Sequence, residues 1–103
     1  MAERYHLNHP FLLSQSGVTN GHWISFERFR RFSVHVLGML AGDIVKVFGS
    51  NEPTQPAATG GIVLASITAD SLIDSDTPLK WLRVAVTDAT GGGTISAYME
   101  ATE

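Results

Sequence analysis

Four histidines are the side chains of this sequence best suited to metal chemistry, because imidazole nitrogen is a common ligand of transition metals. His6 and His9 fall in an irregular N-terminal stretch, whereas His22 and His35 fall in predicted strands. A closed zinc site needs a full tetrahedral set of ligands, and no cysteine or suitably placed carboxylate completes one. We therefore expect no metal site and interpret the histidines as polar or interface residues.

An acidic stretch, DSLIDSD from Asp70 to Asp76, is the second candidate for a metal ion. Calcium takes about six to eight oxygen ligands, and an EF-hand loop supplies them from alternating positions with a central glycine and a distal glutamate. The stretch has neither the glycine nor that glutamate. We interpret it as a solvated acidic turn.

Catalytic patterns are missing from the sequence. Serine, histidine and aspartate all occur, but no G-x-S-x-G segment presents a nucleophile, and no pair of carboxylates indicates a glycosidase. The run Gly91-Gly92-Gly93 precedes a predicted strand and lacks the Lys-Ser/Thr of a phosphate-binding loop, so it predicts a turn. The sequence therefore predicts a protein that is not an enzyme, with no catalytic residues and no cofactor.

Composition and length predict one small globular domain over residues 1–103. The chain is 44% hydrophobic and 17% charged, and it contains no cysteine, which excludes disulfides and thiolate metal sites. A net charge of −3 argues against a general nucleic-acid binder. No apolar run approaches the roughly 18 residues of a membrane span, and the N-terminus does not resemble a signal peptide. We expect synthesis in a cytoplasm and no membrane partner.

The strongest strand pattern lies at residues 78–101. Leu82, Val84 and Val86 alternate with polar or aromatic residues, and a similar alternation begins at Ile95. Alternation of this kind is typical of half-buried strands. Three glycines separate the two strands, so the sequence predicts one long β-hairpin with a glycine-rich turn.

Shorter strands are predicted elsewhere, with turn signals about every 8–12 residues. They cover residues 9–15, 22–26, 32–37, 44–50 and 62–68, with a short strand or helical turn near 72–73. The glycine-containing turn at 38–43 predicts that the strands before and after it are antiparallel neighbours. About seven to eight short strands without helical periodicity predict an all-β, antiparallel sandwich that is jelly-roll-like. Residues 1–20 are expected to form an arm and an edge strand.

Interface residues are predicted in the N-terminal arm, in the proline-rich loop 51–61, and where arginines or aromatic residues gather. Long loops and arginine or aromatic side chains are common at interfaces. The alternatives are a charged strand tip for the arginines and a core position for the aromatic residues. Trp81 and Tyr98 are expected to share the outward face of the hairpin, as a contact patch or a sugar-binding platform. The candidates are Tyr5, His6, His9, Phe11, Arg28, Arg30, Arg31, Pro53, Gln55, Pro56, Trp81 and Tyr98.

Residues 32–101 resemble small β-sandwich proteins of tailed-bacteriophage particles. The resemblance lies in the segments FSVHVLGMLAGDIVKVFGSNEPTQP, LKWLRVAVTDATGGG and TISAYMEA. It implies a structural protein of the virion, made in the host bacterial cytoplasm. The expected role is capsid decoration (cement), in which homo-oligomers, often trimers, bridge the major capsid protein or other virion proteins. The alternatives are a tail, neck or baseplate component, or a carbohydrate-binding sandwich at a fibre tip.

Overall fold

The computed structural model describes residues 6–103, so Tyr5 lies outside the described residues. The described chain forms eight β-strands, and no helix within it is long and apolar enough to cross a membrane. The strands are β1 (His6–Gln15), β2 (Trp23–Ser25), β3 (Arg31–Leu37), β4 (Asp43–Ser50), β5 (Ile62–Ile67), β6 (Ser71–Ser75), β7 (Trp81–Ala89) and β8 (Ile95–Thr102).

Two four-stranded antiparallel sheets contain these strands. Sheet A has the order β1-β8-β3-β6, and sheet B has the order β2-β7-β4-β5. Every connection between strands except that from β4 to β5 passes from one sheet to the other. The predicted all-β, antiparallel sandwich is therefore confirmed.

The core lies between the sheets and is built from alternate residues of each strand. Side chains on successive strand residues point to opposite faces, so every second residue enters the core. The faces predicted from the alternation are confirmed for β3, β4, β7 and β8. The buried residues concerned are Phe32, Val34, Val36, Val45, Val47, Leu82, Val84, Val86, Ile95, Ala97 and Met99.

The predicted hairpin at 78–101 is wrong. β7 pairs with β2 and β4 in sheet B, whereas β8 pairs with β1 and β3 in sheet A. The glycine-rich connection therefore carries the chain over the edge of the core instead of folding one strand back on the other. The turn at 38–43 does the same between β3 and β4, so those strands are not neighbours either.

The first strand includes more of the chain than the predicted 9–15. β1 begins at His6 and pairs with β8 from His6 opposite Thr102 to Gln15 opposite Ile95. Residues 6–9 are therefore ladder-forming strand, because β8 supplies them with hydrogen-bond partners. The acidic stretch contains β6, which pairs with β3 from Phe32 opposite Ser75 onward.

A buried carboxylate joins the two loops at one end of the sandwich. One oxygen of Asp43, Oδ2, accepts hydrogen bonds from the backbone N–H of Leu40 and of Gly93, both at 3.0 Å. Asp43 is almost completely buried, and the chain passes so close to it that residues 91 and 93 have no room for a Cβ atom. The glycine run is thus a turn, as predicted, and it packs around this carboxylate.

Candidate functional site

Part of the outer face of sheet B, over β2 and β7, is covered by the chain itself, whereas β5 leaves Ile62, Val63 and Leu64 exposed. Loop 51–61 lies over this face and is held there by two indoles. The Trp23 Nε1–H donates to the carbonyl of Ala57 at 2.9 Å, and the Trp81 Nε1–H donates to the carbonyl of Glu52 at 3.2 Å. Within the loop, Pro56 is buried. The loop is therefore part of the folded domain rather than a free contact arm.

Arg83 is the central side chain under this loop and is only 2% exposed. Its Nη1 donates to the carbonyl of Asn20 at 2.9 Å, and its Nη2 donates to the carbonyl of Gly60 at 2.7 Å. The guanidinium carbon lies 3.9 Å from the centre of the Phe48 ring, which favours a cation. Burial lowers the pKa of Arg83, but arginine starts so high that it stays charged at neutral pH. The Arg83 guanidinium thus holds the loop that contains Asn20 and the loop 51–61 on sheet B.

The outer face of sheet A carries no such cover from residues 6–103 and is called the open face below. Antiparallel register aligns its side chains in rows across the four strands. One row contains Pro10, Tyr98, His35 and Leu72, and the next contains Asn8, Glu100, Ser33 and Asp74. These rows line a shallow groove of about 550 Å³.

The open face combines exposed apolar surface with unpaired polar groups. Leu72, at the β6 end of its cross-strand row, is 70% exposed, and Tyr98, inside the same row, is 44% exposed. Within the described part of the chain, the side chains of Asn8, Ser33 and Glu100 form no hydrogen bond or ion pair. Apolar patches with polar rims of this kind mark interaction sites. Chemically, the face is suited to binding.

Two histidines that are distant in the sequence meet at one side of the sandwich. The Nε2 atoms of His9 and His22 are 2.6 Å apart, and the ring of Phe11 packs against both imidazoles. Burial, and to a lesser extent the neighbouring His22, lower the pKa of His9. His6 and His35 lie on the open face instead. Sequence reasoning missed the pair because its members belong to the edges of different sheets.

Three predicted interface residues, His6, Arg31 and Tyr98, lie on the open face. Arg31 forms an exposed ion pair with Asp74 at 3.7 Å, and Arg28 forms one with Glu103 at 3.5 Å. Such surface pairs contribute little stability, so the arginines remain accessible to a partner.

The remaining candidates lie elsewhere. Arg30 is exposed in the turn before β3, and Pro53 and Gln55 are exposed in loop 51–61. Phe11 and Pro56 are buried inside the domain, so their prediction as contact residues is corrected.

The predicted patch shared by Trp81 and Tyr98 does not exist. Trp81 is half-buried under loop 51–61 on sheet B, and Tyr98 lies on the open face of sheet A. The error follows from the wrong hairpin, because strands in different sheets have outer faces on opposite sides of the molecule. Only Tyr98 of the two offers a well-exposed ring.

Fold and surface together define a class: a small antiparallel β-sandwich with one outer face partly covered by its own loop and the other open. No protein-family model and no curated protein sequence matches the chain. Solved structures share its fold, and two of them come from phage-derived proteins. The SPBc2 prophage-derived protein YomS is 14% identical, with a TM-score of 0.77 over 100% of this chain and 97% of YomS. The PBSX exported protein XepA is 17% identical, with a TM-score of 0.80 over 100% of this chain.

The chain spans only 39% of the length of XepA. At such low identities, similarity to solved structures concerns the fold alone. The open face of this chain must therefore be interpreted from its own residues.

Proposed function

We propose that this chain is a non-enzymatic structural protein of a phage particle, which binds neighbouring subunits through the open face. The observation that carries the proposal is the difference between the two outer faces. Sheet B buries its aromatic residues and Arg83 under loop 51–61, whereas sheet A leaves Leu72 and Tyr98 exposed. Sheet B also leaves Ile62, Val63 and Leu64 of β5 exposed, so the difference between the two faces concerns the area over β2 and β7. The groove of the open face, with its exposed ring and polar rim, is the surface better suited to a partner.

Capsid decoration is the particular role that we propose. The two structural neighbours are described as a prophage-derived protein and a protein of PBSX, which supports a phage setting. The resemblance of residues 32–101 to small phage sandwich proteins supports a place on the particle. Each copy would bridge capsid subunits, and a homo-oligomer, with a trimer as the expected state, would add avidity.

The copy number in purified particles tests this proposal. Quantitative mass spectrometry, calibrated on the major capsid protein, should find the chain at capsid-like abundance. A copy number matching the few subunits of a tail, neck or baseplate would support the alternative place on the particle. Absence from particles, with the chain instead in the culture medium as expected of an exported protein, would refute a structural role.

Replacing Leu72 and Tyr98 together by aspartate should weaken binding to particles that lack the chain at least tenfold. Two carboxylates in the open face would have to be desolvated on contact, which opposes association. Because both side chains are largely exposed, the variant should unfold at a temperature close to that of the wild type. Co-sedimentation with particles and thermal unfolding measure the two quantities.

Val18→Asp is the matched control for that variant. Val18 is 64% exposed in the connection between β1 and β2, away from the open face. It introduces one apolar-to-acidic change, so it is compared with the single variants Leu72→Asp and Tyr98→Asp, and its particle binding should equal that of the wild type. Equal loss of binding in both variants would show that general charge, and not the open face, governs association.

Carbohydrate binding is a second candidate function, favoured by one observation. The exposed Tyr98 ring lies in the groove beside the unpaired side chains of Asn8 and Glu100, and a ring flanked by hydrogen-bonding groups suits a sugar. A glycan array with the purified chain would show hits that Tyr98→Ala abolishes. An array without hits leaves the structural role as the remaining proposal.

A further inference from the structure

The pair of His9 and His22 has a geometry of its own, separate from the open face. His9 belongs to β1, an edge strand of sheet A, and His22 precedes β2, an edge strand of sheet B. Their Nε2 atoms approach to 2.6 Å, and the two ring planes are inclined by 74°. Two ring nitrogens from different sheets therefore point at a common position.

A neutral imidazole carries one N–H and one lone pair, and either ring nitrogen can hold the proton. If both rings carry the proton on Nδ1, both Nε2 lone pairs are directed at the space between them. Two lone pairs at this distance repel each other unless a proton or a metal ion lies between them. The pair is thus a hydrogen bond in one tautomeric form and a chelating group in the other.

A metal ion needs only a small opening of this pair. Zinc–nitrogen bonds of about 2.0–2.1 Å in tetrahedral geometry hold two nitrogens about 3.3 Å apart. The His22 side chain is exposed and can rotate outward to reach that separation from the present 2.6 Å. His9 is held in the strand, with its ring 4.8 Å from the ring of the buried Phe11. One ligand is thus fixed, and the other is adjustable.

We propose that His9 and His22 form a binding site for a divalent transition-metal ion of the zinc, nickel or copper class. Imidazole nitrogen suits these ions, whereas calcium and magnesium prefer oxygen. Among the described residues, no third histidine, cysteine or carboxylate joins the pair, so the protein supplies two ligands and water completes the coordination on the exposed side. The proposal of such a two-ligand site replaces the expectation of no metal site. The bound ion connects the edge of sheet A to the edge of sheet B, so it binds the folded chain and stabilises it.

Zinc titration of the chain without any histidine tag tests this site. Isothermal titration calorimetry with zinc chloride at pH 7.5 should give one strong site per chain. His9→Gln and His22→Gln should each lower the affinity at least tenfold. His35→Gln, which removes an exposed histidine of the open face, is the matched control and should bind zinc like the wild type.

Two further measurements separate binding from folding. Without zinc, His22→Gln should unfold close to the wild-type temperature because His22 is exposed. In the wild type, zinc should raise the unfolding temperature and shift the imidazole NMR signals of His9 and His22 but not of His35. No binding at millimolar zinc, equal affinity in His22→Gln, or equal loss in His35→Gln would each overturn the proposal.

Discussion

Gly93→Ala should lower the free energy of unfolding by about 3 kcal/mol, because the new methyl group has no space. A Cβ atom at this position would lie 2.3 Å from the carbonyl oxygen of Gly38 and 2.5 Å from Oδ2 of Asp43. Neither atom can move freely, since one is backbone and the other is a buried carboxylate that accepts two hydrogen bonds. Urea unfolding followed by tryptophan fluorescence measures the change.

Gly92→Ala is the matched control one residue away. A Cβ atom there meets nothing within 4 Å, but the backbone has a φ of +76°. The substitution should therefore cost only about 1 kcal/mol, the usual strain of a left-handed conformation for alanine. Equal losses in the two variants would contradict the prediction, because Gly93 lacks the positive φ of Gly92 and only the crowding around Asp43 makes its expected loss larger.

Arg83→Ala should also lower the free energy of unfolding by about 3 kcal/mol and release loop 51–61. Hydrogen bonds to charged groups contribute about 1.5–3 kcal/mol, and the variant leaves the carbonyls of Asn20 and Gly60 without their donor. It also removes the guanidinium that packs on Phe48. Hydrogen exchange should speed up at residues 57–61 while the core strands of sheet A stay protected.

Two further variants serve as comparisons for the stability loss of Arg83→Ala. Arg83→Lys keeps the charge, but its single ammonium does not match the planar fork that reaches two carbonyls, so an intermediate loss is expected. Arg30→Ala removes an exposed arginine and should leave stability within about 0.5 kcal/mol of the wild type. Unchanged exchange at residues 57–61 in Arg83→Ala would mean that the two indoles hold the loop without help.

The face of each strand could be predicted from the sequence, because alternation is a local property. Val45 and Val47 were predicted to face the core in spite of competition from Ile44 and Phe48, and both are fully buried. Lys46 decided that prediction, since a charged side chain avoids the interior. The same local rule placed Leu82 and Ile95 correctly.

Strand partners could not be predicted in the same way. In a sandwich, the two inner faces are equally apolar, so alternation shows which side chains are buried but not which strand lies alongside. The connection between β7 and β8 contains three glycines, and such a segment permits a hairpin as readily as a crossing between sheets. Long-range contacts, such as that of Asp43 with Gly93, favour the crossing between sheets over a hairpin. That contact joins residues 50 positions apart, so it leaves no local signal in the sequence.

The candidate site could not be predicted for the same reason, namely that it depends on contacts between residues far apart in the sequence. Arg83 follows the alternation of an outward-facing residue, and it does face outward, but loop 51–61 buries it. A loop with two prolines and two glycines gave no local signal that it would pack on a sheet. The open face can be recognised only from the structure, which shows that loop 51–61 lies on sheet B and that no loop from residues 6–103 lies on sheet A in the same way.

The position of β8 restricts how the protein can be made. β8 is the last strand in the chain, yet it lies between β1 and β3, and it contacts both along most of its length. While a ribosome still holds the residues of β8 in its exit tunnel, β1 has no partner strand, and sheet A cannot assemble. β1 must therefore remain without a partner strand until β8 has left the tunnel, and during that time its apolar residues are accessible to chaperones or to other nascent chains.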